Sequence, residues 1–575
     1  MKFPFKIIFT FVVLISISFV NIPDDYSHVN DWVDETLKSM SLREKVAQMI
    51  ISHSLGFNLD NNPEEFNRLK KLIEEDKIGG IIFFQGSTTQ QAELINKLQS
   101  LSKLPLLISA DYERGTSMRL EEGSQFPNNM GVGATGDTNL AYEMGYVIGL
   151  ECRALGVHQN YAPVMDVNNN PDNPIINVRS FGQDPKLVSD MGTAMIRGLQ
   201  DARTIATAKH FPGHGDTDID SHSDLPVIEF GRDRLDTVEL VPFISAINSG
   251  VKSIMTAHLS FPEVENTPNI PSSLSDKIIN DILIDELGFT GLIVTDALNM
   301  HGITKYFTTE EVALMTVKAG NDLILMPDDE RLTIETIVSA VNNGEISEER
   351  IDRSVRKILN AKKWLGIVEE RFINVDAVQQ TVNSPMVQQT AQKIADASIT
   401  LVKNENKILP FDSRWEGKSC MMISLENGDA ELNAPVMASA FLQQSPFAIL
   451  DTLTLEGDID NLNSIVSNAK NYDVILIPVF ARVRIFTGTV GLPQEQQELI
   501  NNLIKAGKDV VVVSMGNPYI LQGFLDVGAY VCSYGESQPT INATISALKG
   551  NIDFNGKLPI EINEEFNIGT GLSVK

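Results

Sequence analysis

A chain of 575 residues is too long for one ordinary domain and fits two. Its 43% hydrophobic and 21% charged content is that of folded globular protein, not of a disordered or fibrous chain. A formal net charge of −29, from 46 Lys and Arg against 75 Asp and Glu, argues against the clustered positive surface that nucleic-acid binding needs.

Residues 1–20 carry Lys2 and Lys6, an apolar run over 7–14, and small Ser16 and Ser18 near a cleavage position. That pattern predicts a Sec-type signal peptide and an exported protein, with an uncleaved N-terminal anchor as the alternative. Over 21–370, short apolar runs then alternate with amphipathic segments. The runs fall at 46–52, 78–84, 104–111, 157–166, 204–210, 253–258, 291–296 and 322–326. Helical periodicity fills 91–101, 140–155, 187–200, 235–249 and 275–287. Eight strands alternating with helices predict a (β/α)8 barrel, with a doubly wound open sheet as the alternative. The strand ends favour the barrel. Run after run closes on a polar group: Asp111, Asp166, Lys209-His210, His258, Asp296. In a barrel these ends converge on one mouth, whereas an open sheet spreads them along an edge.

Around 371–386 the apolar periodicity thins, which predicts a linker. Beyond it come a helix over 387–397, strands at 399–402, 420–425, 474–480, 510–515 and 530–532, and a helix over 493–506. This predicts a smaller α/β sandwich domain at 387–575. The glycines near Gly516 and Gly535 lack the spacing of a phosphate loop. Cys152, Cys420 and Cys532 are odd in number and far apart, and the latter two lie in apolar text, so buried free thiols are expected.

The densest chemistry lies in Lys209-His210-Phe211-Pro212-Gly213-His214-Gly215-Asp216-Thr217-Asp218-Ile219-Asp220-Ser221-His222, three histidines and three aspartates in fourteen residues. A metal site, a calcium loop and a catalytic loop compete for it. His210 and His214 have helical ligand spacing, but Pro212, Gly213 and Gly215 do not hold a helix. A calcium loop starting at Asp216 needs Gly at its sixth place and Glu at its twelfth; Ser221 and Val227 stand there. What survives is Asp220 beside His222, a carboxylate able to fix an imidazole's tautomer and favour its protonated form. Gly213 and Gly215 suggest a loop able to swing. Asp296 ends an apolar strand and begins a helix, where it is either a helix cap or a reactive carboxylate.

The Lys-His-Phe-Pro-Gly-His-Gly-Asp-Thr-x-x-Asp-Ser-His run resembles the signature of family 3 glycoside hydrolases, in their β-N-acetylglucosaminidase branch. Met40-Ser-Leu-Arg-Glu-Lys-Val-Ala-Gln-Met49, Asn177-Val-Arg-Ser-Phe-Gly182, Met255-Thr-Ala-His-Leu259, Thr295-Asp296-Ala297-Leu298, Ile399-Thr-Leu-Val-Lys-Asn404 and Gly556-Lys-Leu-Pro559 agree with it. The resemblance implies Asp296 as nucleophile, His222 as acid/base and Asp220 as its partner. It implies that Asp111, Arg119, Arg179, Lys209 and His210 bind the terminal N-acetylglucosamine, and that no metal or cofactor is needed. After Asp111 the chain reads Tyr112-Glu113-Arg114-Gly115 where the family usually has Gln-Glu-Gly-Gly, so Tyr112 and Arg114 are bulkier. The implied activity is a retaining exo-β-N-acetylglucosaminidase on peptidoglycan fragments or chitooligosaccharides. The alternatives are a phosphorylase or β-glucosidase of the same fold, or a cell-wall glycan-binding protein on a barrel scaffold.

Overall fold

The computed structural model describes residues 31–56, 62–217, 224–427, 433–457, 459, 461–481 and 490–574. The expected signal segment, Asp220 and His222 lie outside the described residues.

The first sheet is parallel throughout: β1 (Ile50–Ser54), β2 (Gly80–Phe83), β3 (Leu107–Ala110), β4 (Gln159–Asn160), β5 (Ile205–Phe211), β6 (Ser253–Thr256), β7 (Leu292–Thr295) and β8 (Ile324–Leu325). Strand β8 pairs with β1, and a bridge from Val294 to Leu323 joins it to β7, so the eight strands close into the expected (β/α)8 barrel. The strands are buried on both faces, which is why they read as continuous apolar runs. Helix ends follow local chemistry. Ser41 and Glu44 form a reciprocal capping box on Leu42–Gln48, and Asp184 caps Pro185–Asp201 with Pro185 in its first turn.

Two expected strands differ. The run at 46–52 begins as the inner face of the helix Leu42–Gln48, and the strand starts only at Ile50. The run at 157–166 yields the two-residue β4, because Pro163 has no N–H for the ladder; Val164 then bridges Lys209. The expected linker folds as well. Val375–Ala377 and Val378–Thr381 are helical turns, Val378 and Val382 are buried, and the Asn383 N–H donates to the Glu151 carboxylate at 2.7 Å.

The second sheet comprises β9 (Thr400–Asn404), β10 (Ser419–Glu426), β11 (Ile449–Glu456), β12 (Val474–Phe480), β13 (Asp509–Ser514) and β14 (Ala529–Cys532), in the order β11-β10-β12-β13-β14-β9. Only β9 runs antiparallel to its neighbour. Alternation along the strands supplies two cores, Met421, Ile423, Ile475 and Ile477 on one face and Cys420, Met422, Val474 and Leu476 on the other. This is the expected α/β sandwich. Strand β11 escapes a search for apolar runs because Ile449-Leu-Asp-Thr-Leu-Thr-Leu-Glu456 is a half-exposed edge that alternates polar with apolar. All three cysteines are buried and free.

The sheets are locked together across a shared surface. Met130 and Ala134, on the barrel-side helix Asn129–Thr135, belong to the core of the second sheet. The Lys557 N–H donates to the Ala134 carbonyl and the Gln183 N–H to that of Pro559, both at 2.9 Å.

Candidate active site

The ends of β3, β5 and β7 deliver Asp111, Lys209, His210 and Asp296 to one cavity of about 540 Å³ at the barrel mouth. Arg119 and Arg179 reach it from loops, so every expected sugar-binding residue and the expected nucleophile share one chamber.

Its floor is a chain of alternating charges. Lys209 Nζ donates to Asp111 Oδ1 and lies at the same 2.9 Å from Glu113 Oε1. Arg119 Nη2 donates to Asp111 Oδ2 at 3.2 Å. Arg179 grips Glu113 with two bonds, Nε to Oε2 at 3.0 Å and Nη2 to Oε1 at 2.7 Å. Lys209, Glu113 and His210 are only 3%, 4% and 5% exposed, so these charges interact with little screening by water. Burial works to protonate Asp111, but Lys209 and Arg119 outweigh it and hold its carboxyl below the usual range. Burial is opposed in the same way at Glu113, where Arg179 and Lys209 hold the carboxyl well below it. For Lys209, burial favours loss of the proton, yet Asp111 and Glu113 raise its pKa. Sequence reasoning left Glu113 out of the binding set. Its signals were its place two residues beyond the strand-end Asp111 and its agreement with the Glu of the family's Gln-Glu-Gly-Gly.

Asp296 sits at the end of β7 with Ala297 N–H donating to its Oδ1 at 2.8 Å. Burial disfavours its charge, but His258, His210, the Ala297 amide and Lys209 together keep its carboxyl below the usual range. His258, which closes the run at 253–258, bonds Ser273 Oγ through Nδ1 at 2.7 Å and donates from Nε2 to the Ala297 carbonyl at 3.0 Å. It thereby tethers the turn that follows Asp296. The outcome at Asp296 is an ionised carboxylate facing a cavity at neutral pH.

His210 donates from Nδ1 to Asp166 Oδ2 at 2.7 Å, while the other oxygen of Asp166 accepts the backbone N–H groups of His210 (3.2 Å) and His214 (2.7 Å). Asp166, fully buried, thus fixes both the tautomer of His210 and the course of the loop. Asp166→Asn is expected to lower kcat/KM by about 10²-fold or more, because an amide cannot hold all three donors. Thermal melts of the variant, read beside its kinetics, separate lost orientation from unfolding.

His214 lies buried beneath the mouth, with Nδ1 2.9 Å from Thr217 Oγ1, and burial with the neighbouring His210 lowers its pKa to about 4. The glycines beside it are closely packed. A Cβ on Gly215 would lie 1.7 Å from the Val167 carbonyl oxygen, and one on Gly213 would meet Glu239 at 2.7 Å. Both glycines permit close packing at this turn. Asp220 and His222 lie outside the described residues. On one side of them, Asn173 Nδ2 contacts Thr217 Oγ1 at 3.3 Å; on the other, Asp224 accepts from Lys305 Nζ and Tyr306 OH, both at 2.7 Å. Tyr112 is wholly buried with Gln91 donating to its hydroxyl, so the bulk of this departure turns away from the cavity, whereas Arg114 lines it. The roof comes from the second sheet: Phe480, Met515 and Glu536 face the same chamber.

Comparison with known proteins agrees with this architecture. Residues 41–361 match the glycosyl hydrolase family 3 N terminal domain and residues 399–568 the family's C-terminal domain. Beta-hexosaminidase A of Pseudoalteromonas piscicida is 34% identical over 376 residues, covering 60% of this chain and only 62% of that protein. A beta-N-acetylglucosaminidase/beta-glucosidase of Cellulomonas fimi is 29% identical over 549 residues, 92% of this chain and 95% of that one. Among solved structures, a family 3 beta-N-acetylglucosaminidase from Paenibacillus sp. str. FPU-7 superposes with a TM-score of 0.79 at 33% identity, covering 91% and 99% of the two chains. Beta-glucoside phosphorylase BglX does so with 0.82 at 27% identity, covering 92% and 95%. With its closed barrel, its shared cavity and a match to both domains, the chain is a glycoside hydrolase and belongs to glycosyl hydrolase family 3.

Proposed function

We propose that this enzyme is a retaining exo-β-N-acetylglucosaminidase that removes terminal β-linked N-acetylglucosamine, from peptidoglycan fragments first and chitooligosaccharides second. The observation that carries the reading is Asp296, a carboxylate held below the usual range at the wall of a chamber lined by the buried charges of Glu113 and Lys209. The interior of a (β/α)8 barrel is packed below its mouth, which favours entry of a glycan by its end. The names of the Pseudoalteromonas, Cellulomonas and Paenibacillus relatives support the sugar.

In this mechanism Asp111, Glu113, Lys209, Arg119, Arg179 and His210 hold the ring hydroxyls of the terminal sugar. Ala297 occupies Asp296 Oδ1, leaving Oδ2 to attack the anomeric carbon. As that bond forms, the glycosidic C–O bond breaks, and the leaving oxygen takes a proton from His222, which Asp220 holds protonated. The resulting glycosyl ester on Asp296 is attacked by water, whose proton returns to His222, and the sugar leaves with its configuration retained. A histidine, with an ordinary pKa near ~6.5, can both give and recover a proton near neutrality.

Turnover of 4-nitrophenyl N-acetyl-β-glucosaminide tests the activity, and its absence in the folded protein would end the reading. For the acid role, His222→Ala is expected to cost natural disaccharides about 10²-fold or more while largely sparing aryl glycosides, whose leaving groups need no proton. Equal losses on both substrates would remove His222 from that role. The likeness to a phosphorylase favours a second reading, in which phosphate replaces water in the second step. Product analysis in phosphate buffer separates the two, since phosphorolysis alone yields a glycosyl phosphate.

A further inference from the structure

We propose that Glu151 is a positioning residue for the reaction: its buried carboxylate holds the loop that carries Arg119 and fastens that loop to the segment leading into the second domain. This rests on the sugar-binding role given above to Arg119 and Asp111, and extends it to a group that meets no substrate.

The loop closes on itself before it reaches Glu151. The Ser124 N–H donates to Thr116 Oγ1 at 3.0 Å, the Thr116 N–H to Ser124 Oγ at 3.3 Å, and the Ser117 N–H to the Ser124 carbonyl at 3.0 Å. Each hydroxyl has thus accepted an amide and keeps one proton to donate. Both donate to Glu151 Oε2, Ser124 at 2.5 Å and Thr116 at 3.2 Å. Between these two residues lie Met118 and Arg119, which line the cavity, and Arg119 reaches on to Asp111.

The other oxygen faces the interdomain segment. Glu151 Oε1 accepts the N–H of Asn383, which stands in the left-handed region at φ 51°, two residues before the helix Pro385–Ser398. A second tie runs beside the first. Gln379 Nε2 donates to Thr88 Oγ1 at 2.8 Å, and the Thr88 N–H donates to Glu122 Oε2 at 3.0 Å on the Arg119 loop. The Glu151 carboxylate therefore sits where three segments meet: its own helix Thr138–Leu155, the Arg119 loop and the chain leading to the second sheet.

Three donors converge on a group that, when ionised, only accepts, so the arrangement fits the carboxylate form. Burial favours the neutral form and, against the bonds from Ser124, Asn383 and Thr116, pushes the carboxyl up to about 7. Glu151 is fully buried, and among the described residues no ion pair holds it. Its titratable neighbours are Cys152, next on the helix, and Tyr112, which feels the charges of both Glu151 and Arg119; burial keeps both protonated. Protonation of Glu151 adds a donor where three already meet, so one bond is given up and the loop loosens. The stability effect has the opposite sign. A carboxyl raised by folding contributes stability that is full below its ordinary value near ~4.3 and lost as pH rises through about 7. Ionised Glu151 thus weakens the fold while it orders the loop.

The test reads the dissociation constant of N-acetylglucosamine by titration calorimetry in the full-length enzyme, as a ratio of variant to wild type so that other titrating groups cancel. Glu151→Gln, which mimics the protonated form, is expected to bind about tenfold more weakly than wild type at pH ~8, the effect of losing one hydrogen bond to a charged group, with kcat on the aryl substrate within about threefold. The gap is expected to narrow below pH ~6, where wild-type Glu151 is itself protonated. Over the same range the Tm of the variant relative to wild type is expected to rise with pH, whereas a merely structural role would move affinity and stability together. Equal affinities at pH ~8, or a gap that stays constant with pH, would overturn the proposal. Where Glu151→Gln does not fold, Ser124→Ala carries the test: about threefold weaker binding at pH ~8 is expected, and unaltered binding would overturn it. Failure of the glycosidase reading looks different, since the wild-type enzyme would then neither bind N-acetylglucosamine nor turn over its aryl glycoside.

Discussion

Asp296→Gly is expected to cut turnover of N-acetyl-β-glucosaminides by about 10⁴-fold or more, a loss of about 5.5 kcal/mol in transition-state stabilisation. The reason is covalent. Without the carboxylate no glycosyl ester forms, and water alone must attack a carbon whose leaving group has not departed. The fold is expected to survive, because the ladder is made by the Asp296 backbone N–H to the Thr256 carbonyl at 2.9 Å, not by the side chain. Removing the side chain also leaves a space beside the anomeric carbon. A small external anion such as azide is therefore expected to restore turnover of the aryl substrate, giving a glycosyl azide of inverted configuration. Wild-type activity in the folded glycine variant would disprove the assignment of Asp296 as nucleophile.

Lys209→Met is expected to lose both activity and stability. Lys209 is the cation shared by Asp111 and Glu113, and deleting one partner of a buried ion pair typically costs about 3–5 kcal/mol. Arg119 and Arg179 still serve one carboxylate each, which keeps the loss within that range. Activity is expected to fall by about 10²-fold, since Asp111 and Glu113 lose the geometry that fixes the sugar. The pH dependence has a definite sign. In the wild type both carboxyls lie below their ordinary values, so they contribute stability above pH ~4 that is lost as pH falls through their folded values. In the variant the two buried carboxylates repel, and protonating one relieves the repulsion. The Tm difference between variant and wild type is therefore expected to be widest near neutrality and to narrow below pH ~4. A deficit that stays constant with pH would mean that the loss is one of packing and not of charge.

Much of this was legible in the chain because the informative signals are local. A parallel strand buried on both faces is a continuous apolar run, so the strands of the barrel announce themselves. Their polar last residues, Asp111, Lys209, His210 and Asp296, mark the mouth. Where the signal is not an apolar run, reading fails. The edge strand β11 alternates with polar residues, β4 is cut short at Pro163, and Val378 and Val382 lie hidden in otherwise polar text. Gly213 and Gly215 carry a signal of a different kind. A glycine has the same letter whether it frees a loop or admits a neighbour, and only the nearness of Val167 and Glu239 shows that these two admit neighbours.

By itself the sequence determined the two-domain α/β architecture and the residue types at the strand ends, since hydrophobic period and strand polarity are properties of consecutive residues. Tertiary structure alone decided the partners. Asp111 and Lys209 are 98 positions apart, and Arg179 and Glu113 are 66 apart, so no spacing rule reports their contact. It also decided the charge states, because Asp296 is kept ionised by His258, His210 and Lys209, which come from other strands. And it brought Asn383, Thr116 and Ser124, which stand 232, 35 and 27 positions away, to the carboxylate of Glu151. Each of these is an energy of approach between distant segments, and approach exists only once the chain has closed on itself.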